Sequence, residues 1–310
     1  MTRVLSYNIL VGATRRVNQL TRIIKPVQPD IVGLVEATNP KVIQELAKRL
    51  EMEAVTTGQA SHYRDWQIAL LSRLPIVQTQ TYTPNTLTKP LLEVCVEEVD
   101  GQQLTVFVTH LTAAFNRGSA GERIRRREVQ TILNIMAARQ GTPHLLMGDF
   151  NALAPGDRLK ASNLLRYIVN MDRERRNNPL SAYGHPDLNF VVPPHLRIFN
   201  PLLQLVPRSS FLCNLFDAAA SLYAPRGSIA LLQKAGYIDC FRRLNPTALG
   251  FTCPAEAPSG RIDFIFASPE LAERLSACCI VTEGEDIQGA QASDHLAVFA
   301  EFHTGSSYKM

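Results

Sequence analysis

The sequence predicts an α/β protein in which two β-sheets pack against each other and helices cover the outside. Three observations carry this. Four strand-like segments follow one another between Trp66 and His110. Segments of helical period lie before and after that block. Strands and helices do not alternate in the regular manner of a doubly wound parallel sheet, and there is no internal repeat or low-complexity tract.

The elements follow in order. Val4–Leu10 is an apolar strand punctuated by Gly12. Arg16–Ile24 places Val17, Leu20, Ile23 and Ile24 on one helical face and stops before Pro26. Residues 30–36 form an apolar run closed by the carboxylate of Glu36, as a central strand would be, and Lys41–Leu50 is a second amphipathic helix. The strands Trp66–Leu71, Ile76–Tyr82, Leu91–Val99 and Leu104–His110 come next. Glu122–Arg139 is a long helix with Val129, Ile132, Leu133 and Met136 on one face. His144–Gly148, Ile262–Ala267 and Leu296–Phe302 complete the strands.

Pro155–Lys234 breaks this rhythm with short, mostly helical pieces separated by prolines. Arg158–Val169 reads as a helix and Asp172–Asn178 as a charged break. Chemistry-bearing motifs flank the region on both sides. Residues 1–310 are therefore expected to form a single domain carrying a long insertion at about 155–234. A loop-rich insertion beside a site commonly sets specificity. Its apolar runs, Leu202–Val206 and Phe211–Phe216, are expected either to bury against the main fold or to touch a lipid or a partner.

Composition sets bounds. A chain that is 45% hydrophobic and 19% charged suits a folded protein with a large core. The net charge of +4 agrees with a phosphorylated or polyanionic substrate but is far below the basic footprint of a dedicated DNA-binding protein. The six cysteines are scattered without a C-x-x-C pair, as in a reducing compartment. No signal-peptide pattern precedes the first strand, and no apolar run is long enough to span a bilayer. A cytoplasmic protein with no transmembrane segment is the expectation.

Three short motifs lie far apart, each at the edge of an apolar run: Gly148-Asp149-Phe150-Asn151, Arg261-Ile262-Asp263 and Ser293-Asp294-His295. Loops from such edges can converge on one polar site. Asp263 inside an apolar strand costs several kcal/mol, on the order of 2–7, unless it is paired. His295 is the candidate partner, which repeats the orienting logic of an Asp–His couple. Asp149 is placed to orient or deprotonate water and Asn151 to donate to a phosphoryl oxygen; a plain Asx-turn is the structural alternative. Glu36 at a strand end suits a hard cation such as Mg2+, with Asn8 beside it. His110 ends another strand.

With these residues in view, the chain resembles the endonuclease/exonuclease/phosphatase superfamily. The matching pieces are Ser6-Tyr7-Asn8, Leu34-Val35-Glu36, Leu71-Ser72-Arg73-Leu74-Pro75-Ile76, Thr109-His110-Leu111 and the three motifs above, in family order over nearly the whole chain. The resemblance implies a four-layered α/β sandwich with two central, mainly antiparallel sheets. It also implies Glu36 as the principal Mg2+ ligand (Mn2+ as a substitute), with Asn8, close by, and Asp294 completing the metal set. By the same resemblance Asp149 manages water or the leaving-group proton, Asn151 and His110 bind phosphate, and Asp263 orients His295. The family commonly has Gln before the metal-binding Glu, where this chain has Val35.

The implied activity is Mg2+-dependent hydrolysis of a phosphodiester by in-line attack of water, with nucleic acid as one substrate. The arginines at 123, 125, 126 and 127 and at 173, 175 and 176 could track a nucleic-acid backbone or simply be solvated helix faces. A phospholipid or sphingolipid phosphodiesterase, with peripheral lipid contact through the insertion, is the first alternative. A catalytically silent binding module is the second, and the presence together of Glu36, Asp149, Asn151, Asp263 and His295 argues against it.

Overall fold

A computed structural model of the chain describes residues 1–58, 67–177, 185, 187–192 and 194–305. The first half runs β1 (Thr2–Asn8), α1 (Val17–Ile24), β2 (Ile31–Val35), α2 (Pro40–Leu50), β3 (Glu53–Thr56) and β4 (Ile68–Ser72). Next come β5 (Ile76–Tyr82), β6 (Leu91–Glu97), β7 (Gln103–His110), α3 (Ser119–Met136) and β8 (His144–Asp149). Five helices follow: α4 (Ala161–Asn177), α5 (Leu188–Val191), α6 (Asn200–Leu203), α7 (Ser210–Tyr223) and α8 (Gly227–Lys234). The chain then forms β9 (Ile238–Asp239), α9 (Cys240–Leu244), β10 (Asp263–Ala267), α10 (Pro269–Ala272) and β11 (Leu275–Val281). A short hairpin, β12 (Glu283–Gly284) and β13 (Ile287–Gln288), precedes β14 (Ala297–Phe302).

Two six-stranded sheets result, ordered β11-β14-β1-β2-β4-β3 and β5-β6-β7-β8-β10-β9. Most neighbours are antiparallel, but each sheet holds one parallel pair, β1 with β2 and β7 with β8. Side-chain alternation along the strands explains the layering. In β2, Ile31 and Val35 face the core between the sheets, whereas Val32 and Leu34 face the core under α1 and α2. In β8, Leu145 and Met147 point between the sheets and Leu146 points to the core under α3 and α8. The order is therefore helices, sheet, sheet, helices, as expected of an α/β sandwich.

The parallel pairs matter most for function, because each sets two strand ends side by side. In β1 and β2, Asn8 lies opposite Val35, one residue before Glu36. In β7 and β8, His110 lies opposite Asp149. Gly148 makes the second pairing feasible. Its φ is 141°, and a Cβ there would sit 1.8 Å from the carbonyl oxygen of Thr109. Val35 is buried in the inter-sheet core, so the departure from the family's Gln leaves the place of Glu36 unaltered.

Several expectations need correction. The predicted break at Asp172–Asn178 is helical as far as Asn177, and Asn178 lies outside the described residues. Asp172 bonds Arg175 one turn on (2.7 Å), and its carbonyl accepts from Arg176, so the charges support the helix they were read as breaking. Of the helix-face arginines, Arg125 is buried against Glu122 and the carbonyl of Thr112 and cannot track a nucleic-acid backbone. The insertion's apolar runs do not bury against the main sheets. Leu203, Val206 and Phe216 pack on a cluster with Leu165, Ile168 and Met171 of α4, whereas Leu202, Phe211 and Leu215 are exposed. Trp66 of the predicted strand Trp66–Leu71 lies outside the described residues, and the strand itself is Ile68–Ser72. No described helix is long and apolar enough to cross a membrane.

Gly148→Ala should force the β7–β8 pairing apart, because both the left-handed backbone and the Thr109 carbonyl oppose a methyl group. We expect a loss of about 3 kcal/mol, the upper end of the overpacking range, measured by urea denaturation. A variant as stable as wild type would show that the close approach is not needed.

Candidate active site

Three features of local sequence put polar groups where the two sheets end. Apolar β1 stops at Asn8, whose Oδ1 accepts from the backbone N–H of Leu10 (3.0 Å) in a tight turn. Apolar β2 stops before Glu36, which adopts φ 58°. This sparsely populated conformation aims the carboxylate back at the turn, and its Oε2 accepts from the N–H of Val11 (2.7 Å). Strand β8 ends at Asp149, whose Oδ1 accepts from the N–H of Asn151 (2.8 Å). The Asx-turn foreseen as an alternative is therefore present, with Asn151 at φ 47° and its amide buried.

Asp149 is the hub. Its Oδ2 accepts from Asn8 Nδ2 at 3.1 Å and lies 3.4 Å from His110 Nε2 and 3.9 Å from His295 Nε2. Asn8 Nδ2 also donates to Glu36 Oε1 (3.0 Å), so one amide group joins a carboxylate from each sheet. Because the amide oxygen is engaged by a backbone N–H, Asn8 presents its NH2 group to the site. His295 Nδ1 is 2.8 Å from Asp263 Oδ2. Asp294 follows Ser293, whose hydroxyl donates to the carbonyl of Asn8 (2.7 Å) and so ties this loop to the end of β1. All eight residues singled out from the sequence thus lie in one connected cluster.

Electrostatics separates their roles. His295 has its pKa raised well above 6.5: burial opposes the charge, but the carboxylates of Asp263 and Asp294 outweigh it. Its ring is an imidazolium, a double donor. His110 is pushed well below 6.5, by burial first and then by Lys89 and His295. Its contact with Asp149 is therefore not an ion pair, and its Nδ1 is buried without a hydrogen-bond partner. Burial, then Asp263, raises Asp149 to about 7, against the pull of His295 and Lys89. The carboxyl of Asp294 is raised by burial and by Glu36, against His295, His185 and Arg16.

Asp149, Asp263 and His295 hold ligand-type atoms within 4.8 Å of one another. Such a set could hold a metal ion, which on binding would displace the imidazole proton. Glu36 and Asp294 also carry carboxylate oxygens of the kind a hard cation takes, and the charge of Glu36 reaches Asp294.

Sequence reasoning missed four residues at the site. Lys89, in the loop before β6, is 8% exposed, and its Nζ donates to the carbonyl of Leu111 (3.1 Å). Asn151 Nδ2 donates to the same oxygen (3.0 Å). Burial lowers Lys89 to about 8, against the pull of Asp149 and Glu36. Arg16 donates to the carbonyl of Ile9 (3.1 Å), and Tyr167 and His185 approach Asp294 from the insertion. A Lys between Thr88 and Pro90, before an apolar strand, was the one available signal. The raised groups set a pH dependence in the metal-free protein, because the native state holds protons that the unfolded chain releases. For Asp149 stability falls between about pH 3.8 and 7, and for His295 it falls from about pH 6.5 upward. Against His295→Gln, the wild-type advantage in Tm should be widest below pH 6.5 and narrow as pH rises. A gap that widens with pH would contradict the imidazolium assignment.

The same fold recurs in solved structures. An AP endonuclease from Archaeoglobus fulgidus superposes with a TM-score of 0.65 at 16% identity, covering 98% of this chain and 100% of that one. A 3'-5' exonuclease (NExo) from Neisseria meningitidis gives 0.61 at 16% identity, covering 98% and 100%. D. rerio TDP2 complexed with single-strand DNA product gives 0.59 at 16% identity, covering 98% and 99%. At such identities these likenesses establish the fold. No curated protein matches the chain. The family model described as endonuclease/exonuclease/phosphatase family matches residues 5–295, which reach from β1 to His295. The chain belongs to the endonuclease/exonuclease/phosphatase family, a family of phosphoesterase hydrolases.

Proposed function

We propose that the protein is a Mg2+-dependent phosphodiesterase, with Mn2+ as a substitute, and that its substrate is a nucleic acid. The observation that carries this is Asp149: a buried carboxyl raised to about 7, between the His295 imidazolium and the Glu36-bearing turn. A group with that pKa exchanges a proton readily at neutral pH. DNA-bound relatives, the mild positive charge and the exposed Arg123, Arg126 and Arg127 support the nucleic-acid assignment. Residues 1–310 act as one domain in this reading, with 155–234 as an insertion that selects the substrate. Six free cysteines fit a cytoplasmic location.

Glu36 and Asp294 would hold the cation, while Asn8 orients Glu36 and Asp149 through its NH2 group. A divalent cation bound there supplies charge neutralisation for the phosphoryl oxygens and activation of water. The protein's own groups do the rest. His295, fixed by Asp263, points Nε2–H toward the space in front of Asp149 and donates to a phosphoryl oxygen. Asn151, held on the Leu111 carbonyl, and neutral His110 contribute further polar contacts to the phosphate. Asp149 handles the proton of the attacking water or of the leaving group. Preorganised donors of this kind are each worth about 10²–10³ in kcat.

Purified protein should cleave DNA or RNA oligonucleotides with Mg2+ and not with EDTA. His295→Ala and Asp149→Asn should each lower kcat by about 10²–10⁴ while leaving the fold intact by circular dichroism. Metal-independent cleavage, or full activity in either variant, would overturn the site assignment. Inactivity on nucleic acids, phospholipid head groups and a chromogenic phosphodiester alike would overturn the activity.

A second reading has one observation in its favour. Phe211, Leu215, Leu222 and Tyr223 of α7 are 72%, 60%, 86% and 88% exposed, an apolar face that suits a phospholipid or sphingolipid phosphodiesterase. Co-sedimentation with phosphatidylcholine or sphingomyelin vesicles separates the two. The nucleic-acid reading expects the protein to stay in the supernatant. Vesicle binding that disappears in Phe211→Ser/Leu215→Ser would favour the lipid.

A further inference from the structure

We propose that Glu128 and Arg125 on α3 are positioning residues for the site: they clamp Thr112 and Thr88, and through them set the Leu111 peptide to which Asp149, Asn151 and Lys89 are bound. The proposal rests on the reading of Asp149 and Asn151 given above, and it assigns a role to two residues that lie outside every motif.

Leu111 is where the bonds converge. Its N–H donates to the carbonyl of Asp149 (2.8 Å). Its own carbonyl accepts from Asn151 Nδ2 (3.0 Å) and from Lys89 Nζ (3.1 Å). The place of this peptide therefore fixes where the Asn151 amide and the Lys89 ammonium stand. Residues 111–114 lie in neither helix nor strand, so side-chain bonds must hold the chain beyond Leu111.

Helix α3 supplies the hold. Every polar group of Thr112 is bound there. Its N–H donates to Glu128 Oε2 (3.0 Å), its hydroxyl donates to Glu128 Oε1 (2.7 Å), and its carbonyl accepts from Arg125 Nη1 (3.1 Å). Thr88, next to Lys89, donates its N–H (3.2 Å) and its hydroxyl to the same Oε1. One carboxylate thus takes four donors from two loops, the one before β6 and the one after β7. Arg125 is in turn held by Glu122 Oε2 (3.0 and 3.2 Å). Glu128 and Arg125 are each 1% exposed, and their spacing puts them on one face of the helix.

Charged groups are a poor choice here for stability alone. Their desolvation offsets much of what the hydrogen bonds return, and apolar side chains would fill the same space. What the carboxylate and the guanidinium supply is direction, because hydrogen bonds to charged groups are both strong and angular. Supports of this kind lock the groups that act on a substrate. A misplacement of about 1 Å that originates away from the chemistry costs about 10²-fold in rate.

The test is steady-state cleavage of a labelled single-stranded DNA oligonucleotide with Mg2+, well below the Tm. It is set beside the NMR resonances of the Asn151 side-chain amide, assigned by their disappearance in Asn151→Ala. Glu128→Gln should lower kcat about 10²-fold with KM little changed, and should shift the Asn151 amide. Thr112→Val should do the same to a smaller degree, and Thr112→Ser, which keeps the hydroxyl, should restore both. If Glu128→Gln does not fold, the two Thr112 variants decide on the same readouts. Glu98→Gln is the structural comparison, since that buried carboxylate bonds Arg274 and Thr2, at the far end of β1 from Asn8. It should lower Tm and leave kcat and the Asn151 amide as they are. Wild-type kcat and an unmoved amide in Glu128→Gln and Thr112→Val, with activity lost in Asn151→Ala, would overturn the positioning role alone. Full activity in Asn151→Ala, or a wild type that leaves the oligonucleotide intact, would overturn the underlying reading and the proposal with it.

Discussion

The site depends on one amide group. Asn8 Nδ2 donates at once to Glu36, from the sheet built on β1 and β2, and to Asp149, from the sheet built on β7 and β8. Two carboxylates this close repel each other, and both lie in a region from which water is largely withdrawn. A neutral donor shared between them eases that repulsion without adding a charge that would compete with a cation. Asn8 can serve because its oxygen is used by the Leu10 N–H, which fixes which end of the amide faces the site. The sandwich brings the sheets together through apolar packing; this contact sets how their polar ends meet.

The charge balance around that contact is unusual for a protein interior. Glu36, Asp149, Asp263 and Asp294 are met by the imidazolium of His295 and by the buried ammonium of Lys89, with Arg16 nearby. Buried carboxylates without enough counter-charge take up protons, and the raised positions of Asp149 and Asp294 express that deficit. Of the resident positive charges, His295 is the one that the proposed function sets against a phosphoryl oxygen. His110, at the end of the neighbouring strand, is kept neutral by burial and by those same cations. Two histidines on one carboxylate thus differ in charge because Asp263 stands behind only one of them.

Much of this was legible in the sequence because it lies at strand ends. Apolar runs closed by Asn8, Glu36, His110 and Asp149 mark where strands stop, and an Asp inside an apolar strand demands a partner, which is how Asp263 pointed to His295. Strand β11 escaped because Leu275–Val281 mixes Ser, Ala and Cys with its aliphatic residues and shows no clean alternation. Strand β3 escaped because it is short and mostly exposed at a sheet edge. Lys89 could not be foreseen, since only tertiary packing buries a loop lysine. Tyr167 and His185 stand in a segment whose contacts with Asp294 are set entirely by folding.

Arg261 gives the insertion a further property. Its guanidinium is 1% exposed and bonds both carboxylate oxygens of Asp157 (2.9 and 3.1 Å) and both of Asp239 (2.8 and 2.6 Å). One of those aspartates stands where the chain leaves the sheets for the helical region, and the other where it returns. Entry and exit are therefore clasped by a single residue two positions before Asp263. The intervening eighty or so residues hang from a closed ring, so a strain within them is held off β8 and β10 by the bonds of Arg261. The anchoring of the helical region is thus concentrated at one guanidinium, next to the strand that carries Asp263 and apart from the polar cluster itself.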